Sequence, residues 1–272
     1  MAKVRKTITA GSLVKIIEYP KQNPRDGDHV RAAKRNASSA AQKAANLKSS
    51  RGLCEMLLAE NFTLDAHFVT VTYDDAHLPK SANAAKVQLR KFVRRLRAAR
   101  KLRGEQLTYI YVTEGKHGEK RFHHHLVINA TQDREKDREE IESLWDGGEV
   151  VHIQPLAKVS ELEEVQEIGD NPYSRAAYYM TKEPAADYVG AQMWTASKGL
   201  SRPDVQTEIV NDCDTVDAPP RAVVLEREER QSEYGAYKYV KYALPVTVSQ
   251  RKRPRRKAPP LRGGTAREGR LI

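Results

Sequence analysis

Cysteine is almost missing from this chain: Cys54 and Cys213 are the only two among 272 residues. Two thiols so far apart, with no C-x-x-C pairing, exclude a disulfide framework and a cysteine-based zinc site, and they favour a reducing compartment. Long apolar runs are missing too. Nothing approaches the roughly 20 residues of a membrane span, and the N-terminal stretch Leu13-Val-Lys-Ile-Ile17 is broken by Lys15 and lacks a signal-peptide layout. The expected location is therefore the cytoplasm, with no membrane partner. There is no Gly-x-x-x-x-Gly-Lys-Ser/Thr run, which excludes a built-in P-loop motor, and there is no internal repeat.

What the chain has in excess is positive charge, unevenly spread. Lys plus Arg is 47 against 36 Asp plus Glu, a net of +11. Residues 86–103 hold nine basic and no acidic residues, and residues 249–272 hold nine basic and one acidic. Taking +9 and +8 from +11 leaves −6 for the remainder. Cationic charge concentrated in two places on an acidic body suits an anionic polymer. Taken singly, either segment could equally be a solvated helix face or a solubilising tail.

The most informative stretch is Arg121-Phe-His-His-His-Leu-Val-Ile-Asn129, which reads as a β-strand. Alternation puts His123 and His125 on one face and His124 on the other. Their Cα atoms would lie roughly 6.5 to 7 Å apart, a gap two imidazoles can span to one cation at roughly 2.0 to 2.2 Å bonds. Leu107-Thr-Tyr-Ile-Tyr-Val-Thr-Glu114 is a second strand, joined to the first through the glycine-bearing turn Gly115–Lys120. A hairpin closing about its midpoint sets Glu114 opposite His123 and Val112 opposite His125, bringing a carboxylate onto the imidazole face. A register slip of one residue would turn Glu114 away. Two histidines and a glutamate with open positions suit Mg²⁺ or Mn²⁺ as a Lewis acid, with Zn²⁺ as the rival.

Around this hairpin the patterning predicts an α+β fold. A short strand opens the chain. An Ala- and Lys-rich helix follows from His29 to about Glu60, broken near Gly52 and anchored by Leu53, Met56, Leu57 and Leu58. Ala66–Tyr73 is a central strand. After Pro79 comes a helix of about eighteen residues whose stripe of Leu89, Phe92, Val93, Leu96 and Ala99 packs on the sheet, leaving arginines such as Arg90, Arg94 and Arg97 to track phosphates. Asp133–Trp145 is a charged amphipathic helix, Glu149–Leu156 a strand, and Ser174–Glu183 a helix stopped by Pro184. Ala222–Glu226 and Tyr234–Leu244 form a late hairpin. The expected division is an N-terminal strand and helical extension at 1–61, a core at 62–209, a linker and C-terminal hairpin packing on that core at 210–248, and a disordered basic tail at 249–272.

In Ala176-Ala-Tyr178-Tyr179-Met-Thr-Lys182-Glu183, Tyr179 and Lys182 lie three apart and are expected on one helical face. A metal that polarises a phosphoryl group, a tyrosine oxygen that attacks it and a lysine that stabilises charge are the parts of a phosphoryl-transfer site. The bland alternative is that the tyrosines cap the core.

Taken together, Phe68-Val-Thr-Val-Thr-Tyr73, Glu114 nine residues before His-x-His, and a late Tyr-x-x-Lys resemble in order and spacing the three motifs of the HUH endonucleases. The closest likeness is to the rolling-circle replication initiators of small single-stranded DNA phages and plasmids. It spans roughly residues 62–203, with Ser197–Pro203 also in the phage style. The resemblance implies an RRM/ferredoxin-like antiparallel sheet flanked by helices. It implies His123 and His125 as metal ligands with Glu114 as the third, Tyr179 as the nucleophile that stays joined to the 5′-phosphate of nicked origin DNA, and Lys182 beside the phosphate. With no P-loop present, a host helicase would open the duplex and a host polymerase would extend the 3′-OH. Two departures stand out. The residue between the paired histidines is usually apolar but is His124 here. Arg175 occupies the position four before Tyr179, and Tyr178 points about 100° away, so single-tyrosine chemistry is expected. The same residues would serve a transposase or relaxase-type strand transferase, and a non-catalytic nucleic-acid-binding module is the alternative from another class.

Overall fold

The computed structural model describes residues 2–21, 39–115, 121–161, 171–183, 192–211, 216–232 and 235–245. The expected basic tail at 249–272, the helical stretch expected at 29–38 and most of the turn after Gly115 lie outside these residues. In chain order the strands and helices are β1 (Lys3–Ala10), β2 (Leu13–Pro20), α1 (Ala40–Asn61), β3 (His67–Thr72), α2 (Ala82–Leu102), β4 (Tyr109–Glu114), β5 (His123–Ile128), α3 (Arg134–Leu144), β6 (Val151–Pro155), α4 (Pro172–Met180), β7 (Thr195–Ala196), β8 (Asp204–Val210), β9 (Val223–Ser232) and β10 (Gly235–Ala243). A short 3-10 turn, Leu156–Glu161, follows β6. Among the described residues no helix is long and apolar enough to cross a membrane.

The class is α+β, built on two five-stranded antiparallel sheets. The central sheet runs β6-β3-β5-β4-β7. Because successive side chains on a strand face opposite ways, each face builds its own core. Phe68, Ile110, Val112 and Val127 pack against α1 and α4 through Leu58, Tyr173, Ala176 and Ala177. Val69, Val71, Leu126 and Ile128 pack on the other side against Leu89, Phe92 and Leu96 of α2 and Ile141 of α3. The sheet is covered on both faces, so its strands are apolar throughout rather than alternating with exposed polar residues.

The helices begin where the sequence supplies side-chain caps. Ser39, Ser81, Asp133 and Asn171 accept hydrogen bonds from the first free backbone amides of α1, α2, α3 and α4, each contributing about 1 kcal/mol. Two helices depart from expectation. α1 runs unbroken through Gly52. A mid-helix glycine costs only about 1 kcal/mol against alanine, while Cys54, Met56 and Leu58 are buried on the same helix, and the Gly52 carbonyl accepts from Lys15 Nζ at 3.3 Å. α4 ends at Met180 and not at Glu183, because the Thr181 amide bonds back to Tyr178 and the Thr181 hydroxyl donates to the Ala177 carbonyl at 2.7 Å.

The second sheet, ordered β8-β1-β2-β10-β9, has no counterpart in the expected fold. The chain opens with a full hairpin instead of one short strand, and its β2 pairs with β10 from the late hairpin, joining the two ends of the described chain. The hairpin turn at Gly11 has φ +53 and lies so close to α1 that a Cβ there would sit 2.3 Å from the Ala59 carbonyl oxygen. Only glycine satisfies both demands. Buried Glu55 of α1 completes the joint: it accepts from Lys15 of β2 at 2.8 Å, from Lys241 of β10 at 3.0 Å and from Ser174 of α4. The helix that carries Tyr179 is thus held by the same carboxylate that anchors the second sheet.

Candidate metal centre

β5 pairs with both β4 and β3 without a bulge, and Glu114 stands opposite His123 with Val112 opposite His125, as the hairpin reading requires. His123, His125 and Glu114 therefore share the face of the central sheet that looks toward α1 and α4. Their ligand atoms all lie within 4.8 Å of one another. Glu114 Oε2 is 2.9 Å from His123 Nε2, and Glu114 Oε1 is 3.4 Å from His125 Nε2.

The surrounding groups aim both rings. His123 Nδ1–H donates to the Arg121 carbonyl at 2.9 Å, since a carbonyl can only accept. His125 Nδ1 is bonded to Thr70 Oγ1 at 2.9 Å, and its ring stacks on Phe68. With each Nδ1 engaged, each Nε2 is directed at the carboxylate, the arrangement of metal-ligating histidines. His125 Nε2 and Glu114 Oε1 are buried without a hydrogen-bond partner. Unsatisfied buried donors and acceptors are costly, and a cation between them would satisfy both. The donor set fits a divalent ion that accepts mixed nitrogen and oxygen ligands.

The titration behaviour agrees with the geometry. Burial opposes the charge on Glu114, but the His123 hydrogen bond outweighs it, with help from His125 and Lys182, and holds the carboxyl well below its usual range. Burial likewise opposes protonation of His123, yet its bonds to Glu114 and the Arg121 carbonyl raise its pKa. Burial lowers that of His125. Without a cation His123 is the ring that holds a proton, and metal binding would displace it.

Tyr179 and Lys182 lie on the same side of the sheet. The Tyr179 ring meets the His125 ring edge-on at 4.7 Å and the Phe68 ring at 5.7 Å. Lys182 Nζ sits 3.8 Å over the Tyr179 ring and 3.6 Å from Glu114 Oε2. Lys182 reaches this place from the turn after α4, not from a helical face shared with Tyr179. Adjacent Tyr178 turns elsewhere, under the Arg51 guanidinium at 4.2 Å.

His124 lies on the opposite face, fully buried, bonded to Tyr73 Oη at 2.8 Å and Thr113 Oγ1 at 3.0 Å. Burial pushes its pKa down to about 3. It is a neutral core histidine. Arg90, Arg94 and Arg97 are exposed on α2, which also covers that opposite face, so the structure does not bring them to the metal cluster. Sequence reasoning missed Thr70, the Arg121 carbonyl and Glu183, whose carboxylate accepts from the Gly115 amide at 2.8 Å and ties the end of β4 to the Lys182 turn. Thr70 alone carried a usable signal, two residues after Phe68 on the same strand face.

Fold and site together define an α+β protein with a candidate divalent-metal centre on one face of its central sheet. Residues 66–184, from β3 through α4, match the model of a protein family described as replication-associated proteins of the ORF2 type. The segment is similar to replication-associated proteins, consistent with the rolling-circle likeness of its motifs. No curated protein and no solved structure is significantly similar to the chain.

Proposed function

We propose that this chain initiates rolling-circle DNA replication by nicking single-stranded origin DNA, with Tyr179 as nucleophile. The observation that carries the proposal is the placement of the Tyr179 ring 4.7 Å from that of His125, with Lys182 over its face. Glu114, His123 and His125 would hold Mg²⁺ or Mn²⁺, which when bound supplies Lewis-acid polarisation of the scissile phosphoryl group. The Tyr179 oxygen loses its proton and bonds to phosphorus. The bond from phosphorus to the 3′-oxygen breaks, and that oxygen leaves as a hydroxyl. The 5′-phosphate stays on the tyrosine, and the free 3′-OH can prime a host polymerase, with a host helicase opening the duplex. Lys182, drawn toward the site by Glu114, stabilises negative charge on the phosphoryl oxygens. Thr70 and the Arg121 carbonyl keep the two imidazoles in register.

The test is covalent capture. Incubated with single-stranded origin DNA and Mn²⁺ and run on a denaturing gel, the protein should form an adduct that Tyr179→Phe abolishes and Tyr178→Phe retains. An undiminished band from Tyr179→Phe would remove the proposal. Salt-sensitive binding that needs neither metal nor Tyr179 would instead mark a non-catalytic nucleic-acid-binding module.

A further inference from the structure

The structure sorts the nine basic residues of segment 86–103 into two groups. Lys91 and Arg95 pair with Asp146 at 3.8 and 2.6 Å, and Arg100 and Arg103 pair with Asp137 at 3.1 and 2.9 Å. These four hold α2 to α3 and to the loop after it. The other five, Lys86, Arg90, Arg94, Arg97 and Lys101, make no ion pair among the described residues, and all but half-buried Lys86 are exposed.

Their spacing of four, four, three and four residues places all five within an arc of about 80° at 100° per residue. The row is about 22 Å long at 1.5 Å per residue, with neighbouring cations about 4.5 to 6 Å apart along the axis. That is a straight cationic ridge with a repeat comparable to successive phosphates on one strand. One member is braced, since Arg97 donates to Tyr109 Oη at 3.0 Å and lies over that ring. The ridge offers charge without stacking surface: the one aromatic residue of α2 is Phe92, buried against the sheet. Unpaired strands are gripped largely by stacking bases on aromatic rings, whereas duplex DNA is held through its phosphates.

From this geometry we infer that α2 is a docking surface for the phosphate backbone of duplex DNA, on the side of the central sheet opposite the metal cluster. The inference rests on the proposed reading that the chain acts on DNA. It adds that the duplex and the strand presented to Tyr179 are held on opposite faces, so that the DNA passes around an edge of the sheet.

The experiment is a salt titration of the full chain with a labelled duplex of about 20 base pairs, followed by fluorescence anisotropy and compared with a triple variant, Arg90→Gln/Arg94→Gln/Arg97→Gln. Each phosphate contact contributes about 0.9 to the slope of log affinity against log salt. The triple variant should lose about 2 to 3 units of slope and at least tenfold in affinity near 0.1 M salt. A charge-matched control, Lys136→Gln/Arg138→Gln/Lys158→Gln, removes the same charge from exposed positions elsewhere and should bind duplex like the wild type. Equal losses in both triples, or an unchanged slope in the α2 variant, would overturn the inference. Tyr179→Phe separates this from the nicking proposal: it should keep wild-type duplex binding while losing the adduct. If instead the wild type forms no adduct but the α2 variant loses its slope, nicking fails and the docking surface stands.

Discussion

His125 Nε2 and Glu114 Oε1 face each other at 3.4 Å, both buried and neither with a hydrogen-bond partner. A nitrogen and an oxygen held so near without the alignment to bond are shaped for something between them. Adding Mn²⁺ should therefore raise the melting temperature of the wild type, by the equivalent of about 2.7 kcal/mol at a hundredfold excess over the dissociation constant. His123→Ala, His125→Ala and Glu114→Gln should each remove that increment in differential scanning fluorimetry. An undiminished increment in all three would refute the ligand assignment.

Metal affinity should also rise with pH. The pKa of His123 is raised above its ordinary value, against the effect of burial, by Glu114 and the Arg121 carbonyl. Below that raised pKa a proton competes for Nε2, and above it the lone pair is available. Calorimetric titrations with Mn²⁺ should show tighter binding and less proton release as pH rises from about 6 to 8. Affinity that is flat across this range would argue against His123 as a ligand.

Replacing Lys182 should slow the chemistry more than it weakens binding. Loss of one charge-stabilising group in a dry site costs about 10²-fold in rate. Lys182→Met should show that loss in single-turnover adduct formation with little change in DNA affinity, and Lys182→Arg should recover part of it. A variant whose whole defect lies in affinity would make Lys182 a binding residue only.

His124 should matter for stability rather than chemistry. Truncating it empties a buried site and leaves Tyr73 Oη and Thr113 Oγ1 without their common partner. His124→Ala should cost about 2 to 4 kcal/mol in denaturant unfolding, and the folded fraction should still form the adduct.

Acid should loosen the joint between the sheets. Burial opposes the Glu55 charge, but Lys15 and Lys241 prevail and lower its pKa below the ordinary carboxylate value. A carboxyl depressed on folding stabilises the fold fully above its unfolded pKa, and that contribution fades as pH falls from there through the folded value. Glu55→Gln leaves Lys15 and Lys241 uncompensated, at a cost of about 3 to 5 kcal/mol at neutral pH. The difference between wild type and variant should shrink as unfolding is measured from about pH 5 downward. A difference that does not change with pH would place the stabilisation outside that carboxylate.

The histidine hairpin was legible because its information is local. Strand alternation assigns His123 and His125 to one face, and a turn of defined length assigns Glu114 to the same face, so two rules of short range yield a cluster. Other features were not legible for equally specific reasons. α4 stops three residues short of the expected end because Thr181 finds backbone partners that only the folded turn offers. The helix through Gly52 survives because neighbours from distant strands outweigh a small local cost. In α2 the sequence showed nine cations, but not that four of them are bound to Asp137 and Asp146 and that the rest form a ridge.

By itself the sequence determined the α+β class, the strand that bears the imidazoles and the carboxylate opposite them, because periodicity and turn length act between near neighbours. Only the tertiary structure decided that Tyr179 and Lys182 meet that cluster, that the arginines of α2 face the other way, and that the two ends of the described chain close into a second sheet. Those outcomes depend on which apolar faces bury against each other across long stretches of chain, and on a single buried carboxylate, Glu55, that three separate elements share.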